Sequence, residues 1–230
     1  MLLDGWAEAQ LRDGRVLSTV AGPPAPELRW LAEGSEVRLE LRNNTERPVG
    51  VELLAPLVTD AVAGIVPERL RVAEIGWESW SRPHPLQPFR PDELPIDLVR
   101  DPIAPGRLAG SEISPWLAVL GDEQDALLLG FTAASDYTGL VEVASGRLRA
   151  WCDLEGRTLA PGETFESEPL LIATGPEGEL LNHYGDIAGR RMQARRWPRV
   201  PTGWCSWYHF YTWVSEEDCR SNLAVLRNLR

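Results

Sequence analysis

The chain has 230 residues, 43% of them hydrophobic and 25% charged, with a formal net charge of −11 at pH 7. That length and apolar content suffice for one or two domains with a proper core and exclude general disorder. The acidic balance argues against nucleic acid or an anionic membrane as partner, because both reward a basic patch. All 23 basic residues are arginine, so chemistry that requires a lysine is excluded.

From Arg15 to about Thr174 the pattern is that of strands. The N-terminal MLLDGWAEAQLRDGR has no basic start followed by an apolar core, so no signal peptide is visible. Val37, Leu39 and Leu41 alternate with Glu36, Arg38, Glu40 and Arg42, the period of a half-buried strand. Asn43-Asn44-Thr45 fits a glycosylation sequon but is read as a turn. Val49 to Val58 and Ala126 to Phe131 are apolar runs of strand length bounded by turn residues. Leu140 to Ala144 and Arg147 to Leu154 flank Ser145-Gly146 as a hairpin, and Pro161-Gly162 separates that pair from a further strand, Thr164 to Ala173. Many short strands with turns between them predict an antiparallel sandwich.

Between Trp80 and Trp116 the pattern breaks. The stretch from Ser81 to Pro115 holds eight prolines, which remove ladder donors and exclude a central strand. Its dispersed apolar residues predict an ordered loop packed over a surface. After Thr174 the period changes. Leu180, Leu181, Tyr184, Ile187, Ala188 and Met192 recur at three and four, predicting an amphipathic helix over about 176–195 with acidic residues first and arginines last.

The sequence GWCSWYHFYTWV then gathers three tryptophans, two tyrosines and a phenylalanine between Gly203 and Val214. Gly203 to Trp207 reads as a short buried strand. Ser215, with Asp218 three residues on, predicts a capped helix that places Cys219, Leu223, Leu226 and Leu229 on one face. Glu216, Glu217 and Asp218 in its first turn read as capping groups. Cys152, Cys205 and Cys219 are too scattered for a disulfide framework, and with His84, His183 and His209 they form no metal-ligand pattern. No metal site and no cofactor are expected. No apolar run approaches the about 18 residues needed to span a membrane, and the expected location is the cytoplasm. By residue type alone an aromatic cluster reads first as core packing and only second as a wall for the apolar faces of sugar rings, since cores and pockets use the same side chains.

The arrangement favours sugar. PTGWCSWYHFY, opening a strand and followed by a helix, resembles the first barrel strand of clan D glycoside hydrolases, which comprise the α-galactosidases of glycoside hydrolase family 36 (melibiases), their raffinose-synthase relatives and the animal and plant α-galactosidases. Upstream, Ile75-Gly76-Trp77-Glu78-Ser79-Trp80-Ser81 resembles the Gly-aromatic-Gln-Ser-Trp-Ser segment of that family's N-terminal β-sandwich, with Glu78 in place of Gln. Residues 114–143 look like the paired strands that follow. The resemblance implies a mainly β protein: a supersandwich-like antiparallel β-sandwich over 1–175, a linker helix over 176–199, and the first β-α unit of a (β/α)8 barrel over 200–230.

The substrate it implies is an α-galactoside, and a homo-oligomer of the full-length enzyme is compatible with it. Trp207 would lie against the galactose ring at the C-terminal end of the barrel strand. Trp204 would be more buried and structural. Tyr208 and His209 would line the pocket, while Trp77 and Trp80 would be pocket wall or sandwich packing. The family's Lys-any-Asp nucleophile motif cannot occur in a chain without lysine, and its Asp-Asp-Gly motif is absent too. A full barrel takes about 250 residues, whereas about 30 follow Val200. The expectation is the N-terminal part of a longer retaining α-galactosidase, inactive by itself. A non-catalytic carbohydrate-binding sandwich is the alternative. A raffinose-synthase-type galactosyltransferase ranks lower, because Cys205 fits that branch's Trp-Cys-Thr-Trp-Asp segment but Tyr208 replaces its Asp.

Overall fold

The structure, a computed structural model, describes residues 5–20, 26–60, 71–74, 84–88, 111–121, 126–144, 147–195, 197–199 and 202–228. It divides into two compact units, residues 1–194 and 195–230. Among the described residues the first unit holds fifteen strands and one helix.

The strands form two antiparallel sheets. In the first, β1 (Trp6–Leu11) lies between β2 (Val16–Ser18) and β5 (Val49–Thr59), and the order continues through β12 (Arg147–Asp153), β11 (Thr138–Ala144) and β8 (Glu112–Pro115). The short β13 (Thr158–Leu159) extends the pairing along β5. In the second, the order is β14 (Thr164–Glu166), β4 (Glu36–Arg42), β15 (Leu170–Gly175), β10 (Ala126–Phe131), β9 (Leu117–Gly121), β6 (Arg71–Glu74) and β7 (His84–Pro88), with β3 (Glu27–Glu33) also on β4. A mainly antiparallel β fold of two sheets was expected, and it is what forms.

Periodicity explains the core. In β4 the residues Val37, Leu39 and Leu41 are buried, while Arg38 and Glu40 point out and pair with Glu166 and Arg29. Inner-face residues of both sheets, among them Leu39, Leu54, Leu127, Leu129, Val141 and Leu148, make one core cluster. Each such burial contributes roughly 1.5–3 kcal/mol, against at most about 1 kcal/mol for an exposed ion pair, so the core sets the stability.

Both sheets are covered outside as well. Helix α1 (Glu177–Arg191) packs Leu180, Tyr184 and Ile187 on Leu117, Val119, Leu128 and Leu171 of the second sheet. Its acidic first turn and arginine last turn are as expected, but it stops short of 195, and Leu181 and Met192 stay exposed. On the outer face of the first sheet, Leu53, Ala55, Val58, Leu140 and Trp151 form a third buried cluster. Beside it lies a buried ion pair, Arg149 to Glu142 at 2.5 Å, with Ser111 Oγ donating to Glu142 at 2.7 Å.

Three expectations need correction or comment. Residues 164–173 are not one strand: β14 and β15 both pair with β4, but the register slips by one between Glu166↔Glu40 and Leu170↔Val37. The reason is local chemistry, since Ser167 Oγ accepts the Leu39 N–H at 2.9 Å and Pro169 has no N–H to give. The hairpin of β11 and β12 is present as expected, with Ser145-Gly146 outside the described residues. Of the proline-rich stretch, β7 and β8 are described and each ends its sheet's strand order, as proline demands. The expected packing of its remainder lies outside the described residues.

Asn43 is buried within its turn. Its carboxamide accepts from Thr45 N and Oγ1 at 3.0 and 2.7 Å and donates to the carbonyls of Arg47 and Leu159 at 2.8 and 2.9 Å.

Candidate functional site

In the second unit, residues 202–205 are irregular, α2 (Trp207–Phe210) and a 3-10 turn (Tyr211–Trp213) follow, and α3 (Glu216–Arg227) closes the described part. The expected buried strand over 203–207 therefore does not form. Its backbone is satisfied locally instead, with Ser206 O accepting from His209 and Phe210 N–H at 3.2 and 2.9 Å. Among the described residues of this unit no strand lies beside it to offer a ladder.

The aromatics sort into two stacks. Trp207 faces Tyr211 with centroids 4.5 Å apart at 35°, close to offset stacking. Trp204 meets Phe210 edge-on at 6.0 Å, and Phe210 meets His209 at 4.6 Å. Trp204 is 38% exposed, Trp207 47% and Tyr208 94%; His209 is exposed too. Trp204 is the less exposed of the pair Trp204 and Trp207, though neither is buried, and its ring contact comes from Phe210 of the neighbouring turn. Trp77 and Trp80 lie outside the described residues.

Helix α3 begins with a complete capping box. Ser215 N–H and Oγ–H reach Asp218 Oδ2 at 3.0 and 2.6 Å, while Asp218 N–H returns to Ser215 Oγ at 3.2 Å. These bonds, with a smaller contribution from the nearby His209, hold the Asp218 carboxyl below its ordinary range. Glu216 pairs with Arg220 one turn on. The expected capping role is thus filled by Asp218, but the face of Cys219, Leu223 and Leu226 is exposed and not buried; Leu229 lies outside the described residues.

The first unit has a cleft that the sequence did not suggest. Trp116 is the residue at which the chain passes from β8 in one sheet to β9 in the other. Its N–H donates to Gly139 O at 2.8 Å and its carbonyl accepts from Phe131 N–H at 2.7 Å. This double tether holds Trp116 at φ +67°, a conformation that costs a non-glycine residue about 1–3 kcal/mol. Its indole is nonetheless 47% exposed.

Facing it, a cleft of about 270 Å³ is lined by Asp136, Tyr137, Asp153, Glu155 and Arg157. Two devices fix this lining. Residues 154–157 form a tight turn, looped out between β12 and β13 where both pair with β5, with Glu155 and Gly156 both at positive φ and Arg157 N–H on Leu154 O at 3.0 Å, a type I′ geometry. Asp153 Oδ1 accepts the Glu155 N–H at 2.8 Å. The Arg157 guanidinium sits over the Tyr137 ring at 5.1 Å. Burial raises the Tyr137 hydroxyl above its ordinary pKa. The Glu-Gly pair was the one local signal for this turn; nothing local marks Trp116.

Among the described residues no group of three His, Cys, Asp or Glu side chains is placed to hold a metal ion, and no helix is long and apolar enough to cross a membrane. No model of a known protein family matches the chain.

Proposed function

We propose that this chain is the N-terminal part of a retaining α-galactosidase-like glycoside hydrolase, with the sandwich in the first unit and the opening of the catalytic barrel in the second. The observation that carries the reading is the segment from Trp204 to Trp213, which concentrates six aromatic side chains on ten residues and buries none of them. Aromatic rings left open to solvent beside a histidine and two phenols match what a galactose ring needs: a flat apolar wall and hydrogen-bonding groups for its hydroxyls. In this reading the Trp207 ring takes the apolar face of galactose, Tyr208 and His209 contact hydroxyls, and Trp204 supports the wall.

Net retention needs two carboxylates about 5–5.5 Å apart, one attacking the anomeric carbon and one protonating the leaving oxygen. The proposal assigns both to barrel strands outside this chain. The 230 residues contain no lysine and no Asp-Asp pair, so neither motif of the resembled family is here. Asp218 is committed to Ser215 and is not a candidate.

The test is an activity assay. The purified 230-residue chain should release no galactose from p-nitrophenyl α-galactoside, whereas the chain extended by its downstream coding sequence should. Release by the 230-residue chain, or a downstream sequence without a Lys-any-Asp motif, overturns the proposal.

A further inference from the structure

Trp116 does not behave like a residue chosen for the fold. Its crossing from one sheet to the other holds φ at +67°, which glycine would adopt without strain. A large apolar side chain retained for packing would be buried, and this indole is half exposed. The tethers to Gly139 and Phe131 instead fix the Trp116 backbone where the residue lines a cleft.

The other walls define the ligand's chemistry. Asp136, Asp153 and Glu155 surround the cleft and disfavour an anion. The same carboxylates attract a cation, but the Arg157 guanidinium already covers the Tyr137 ring at 5.1 Å, so the cleft's own cation fills the place an organic cation would take. A purely apolar ligand would strip water from these charged groups and return no hydrogen bonds. What remains is a neutral molecule with an apolar face and many hydroxyls. The volume of about 270 Å³ is at the small end of ligand pockets and suits one or two rings.

We propose that this cleft binds a neutral saccharide of one or two rings, with Trp116 stacking on the sugar face, Asp136 and Glu155 accepting from hydroxyls and Arg157 donating to them. The site is formed wholly within the first unit. It does not depend on the α-galactosidase reading, and it gives the sandwich a binding role of its own.

Binding is read from the indole N–H resonances of the ¹⁵N-labelled full chain titrated with galactose, glucose and cellobiose, with choline and sulfate as charged probes. The resonance missing from Trp116→Gly identifies the Trp116 indole, and glycine keeps the backbone geometry. At least one sugar should shift that resonance saturably, and Trp116→Gly should weaken its binding about tenfold or more as read from the backbone amides of Tyr137 and Arg157. Should Trp116→Gly misfold, the pair Asp136→Ala and Arg157→Ala should each weaken it measurably. A Trp116 resonance that ignores all three sugars, that answers only choline or sulfate, or a sugar affinity untouched by these variants overturns the proposal. Because hydrolysis by the extended chain tests the other unit, failure of one proposal is distinguishable from failure of the other.

Discussion

The buried Glu168 carboxylate accepts the backbone N–H of Asp136 at 2.6 Å. The same oxygen, Oε1, also accepts from Ser135 at 2.7 Å and Tyr137 at 3.2 Å. The slip of register between β14 and β15 thus has a consequence across the sheet. It presents an acidic side chain to three consecutive amides of the loop that leaves β10, and that loop carries Asp136 and Tyr137 into the cleft.

Replacing Glu168 by alanine leaves three amides without their acceptor. An unsatisfied buried group costs about 1–3 kcal/mol, and water reaching the partly exposed loop offsets part of the total. We predict that Glu168→Ala loses about 3 kcal/mol in urea denaturation and that Glu168→Gln, which keeps a carbonyl oxygen, loses less. Wild-type stability in Glu168→Ala would contradict this account of the loop.

Two glycines are sterically required. A Cβ on Gly139 would lie 2.3 Å from the Phe131 ring, and one on Gly130 would lie 2.6 Å from the Tyr184 ring. Phe131 is fully buried, so Gly139→Ala should destabilise by about 1–3 kcal/mol through overpacking. Gly130→Ala should instead push α1 off the sheet and break the bond from Tyr184 Oη to Phe131 O, now 2.8 Å. Hydrogen exchange should then show faster exchange of the amides over 177–191 while the sheet amides stay protected; unchanged helix protection would refute that docking.

Much of the sandwich was legible because its signals are local. The charged alternation in β4 and the three-and-four spacing of α1 each follow from one element facing one core. The break at Ser167 was not legible, since its hydroxyl matters only through Leu39, 128 positions away. Trp116 was hidden for the same reason, its backbone being set by Gly139 and Phe131 on different strands. At Gly203 to Trp207 the run is short and apolar, and periodicity alone cannot separate strand from helix there; the Ser206 carbonyl decided it. Asp218, by contrast, was readable because a capping box spans only four residues.

Cysteine reactivity should divide by unit. Burial pushes the Cys152 thiol far above its ordinary range, whereas Cys205 and Cys219 are exposed. Thiolate is the reacting form, so a thiol reagent should label Cys205 and Cys219 in the native protein and Cys152 only after denaturation. Mass spectrometry of the labelled peptides checks this, and native labelling of Cys152 would contradict the packed core around it.

Helix α3 should depend on pH through Asp218. Its pKa is lowered from 3.8, first by the Ser215 hydroxyl and backbone N–H. A depressed folded value means the stabilisation is complete above the ordinary pKa and is lost as pH falls through the lowered one. The Cα chemical shifts over 216–227 should therefore move toward coil as the pH is taken down from about 4, and Ser215→Ala should show weaker helicity at neutral pH. Shifts that stay constant over that range would speak against the cap as the helix's main support.

The central claim is tested most directly by proton NMR of p-nitrophenyl α-galactoside digestion by the chain extended through its downstream coding sequence. The account predicts that the first galactose to appear is the α-anomer, and that Trp207→Ala lowers kcat/KM about tenfold or more. First appearance of the β-anomer, absence of hydrolysis, or full activity in Trp207→Ala would contradict it.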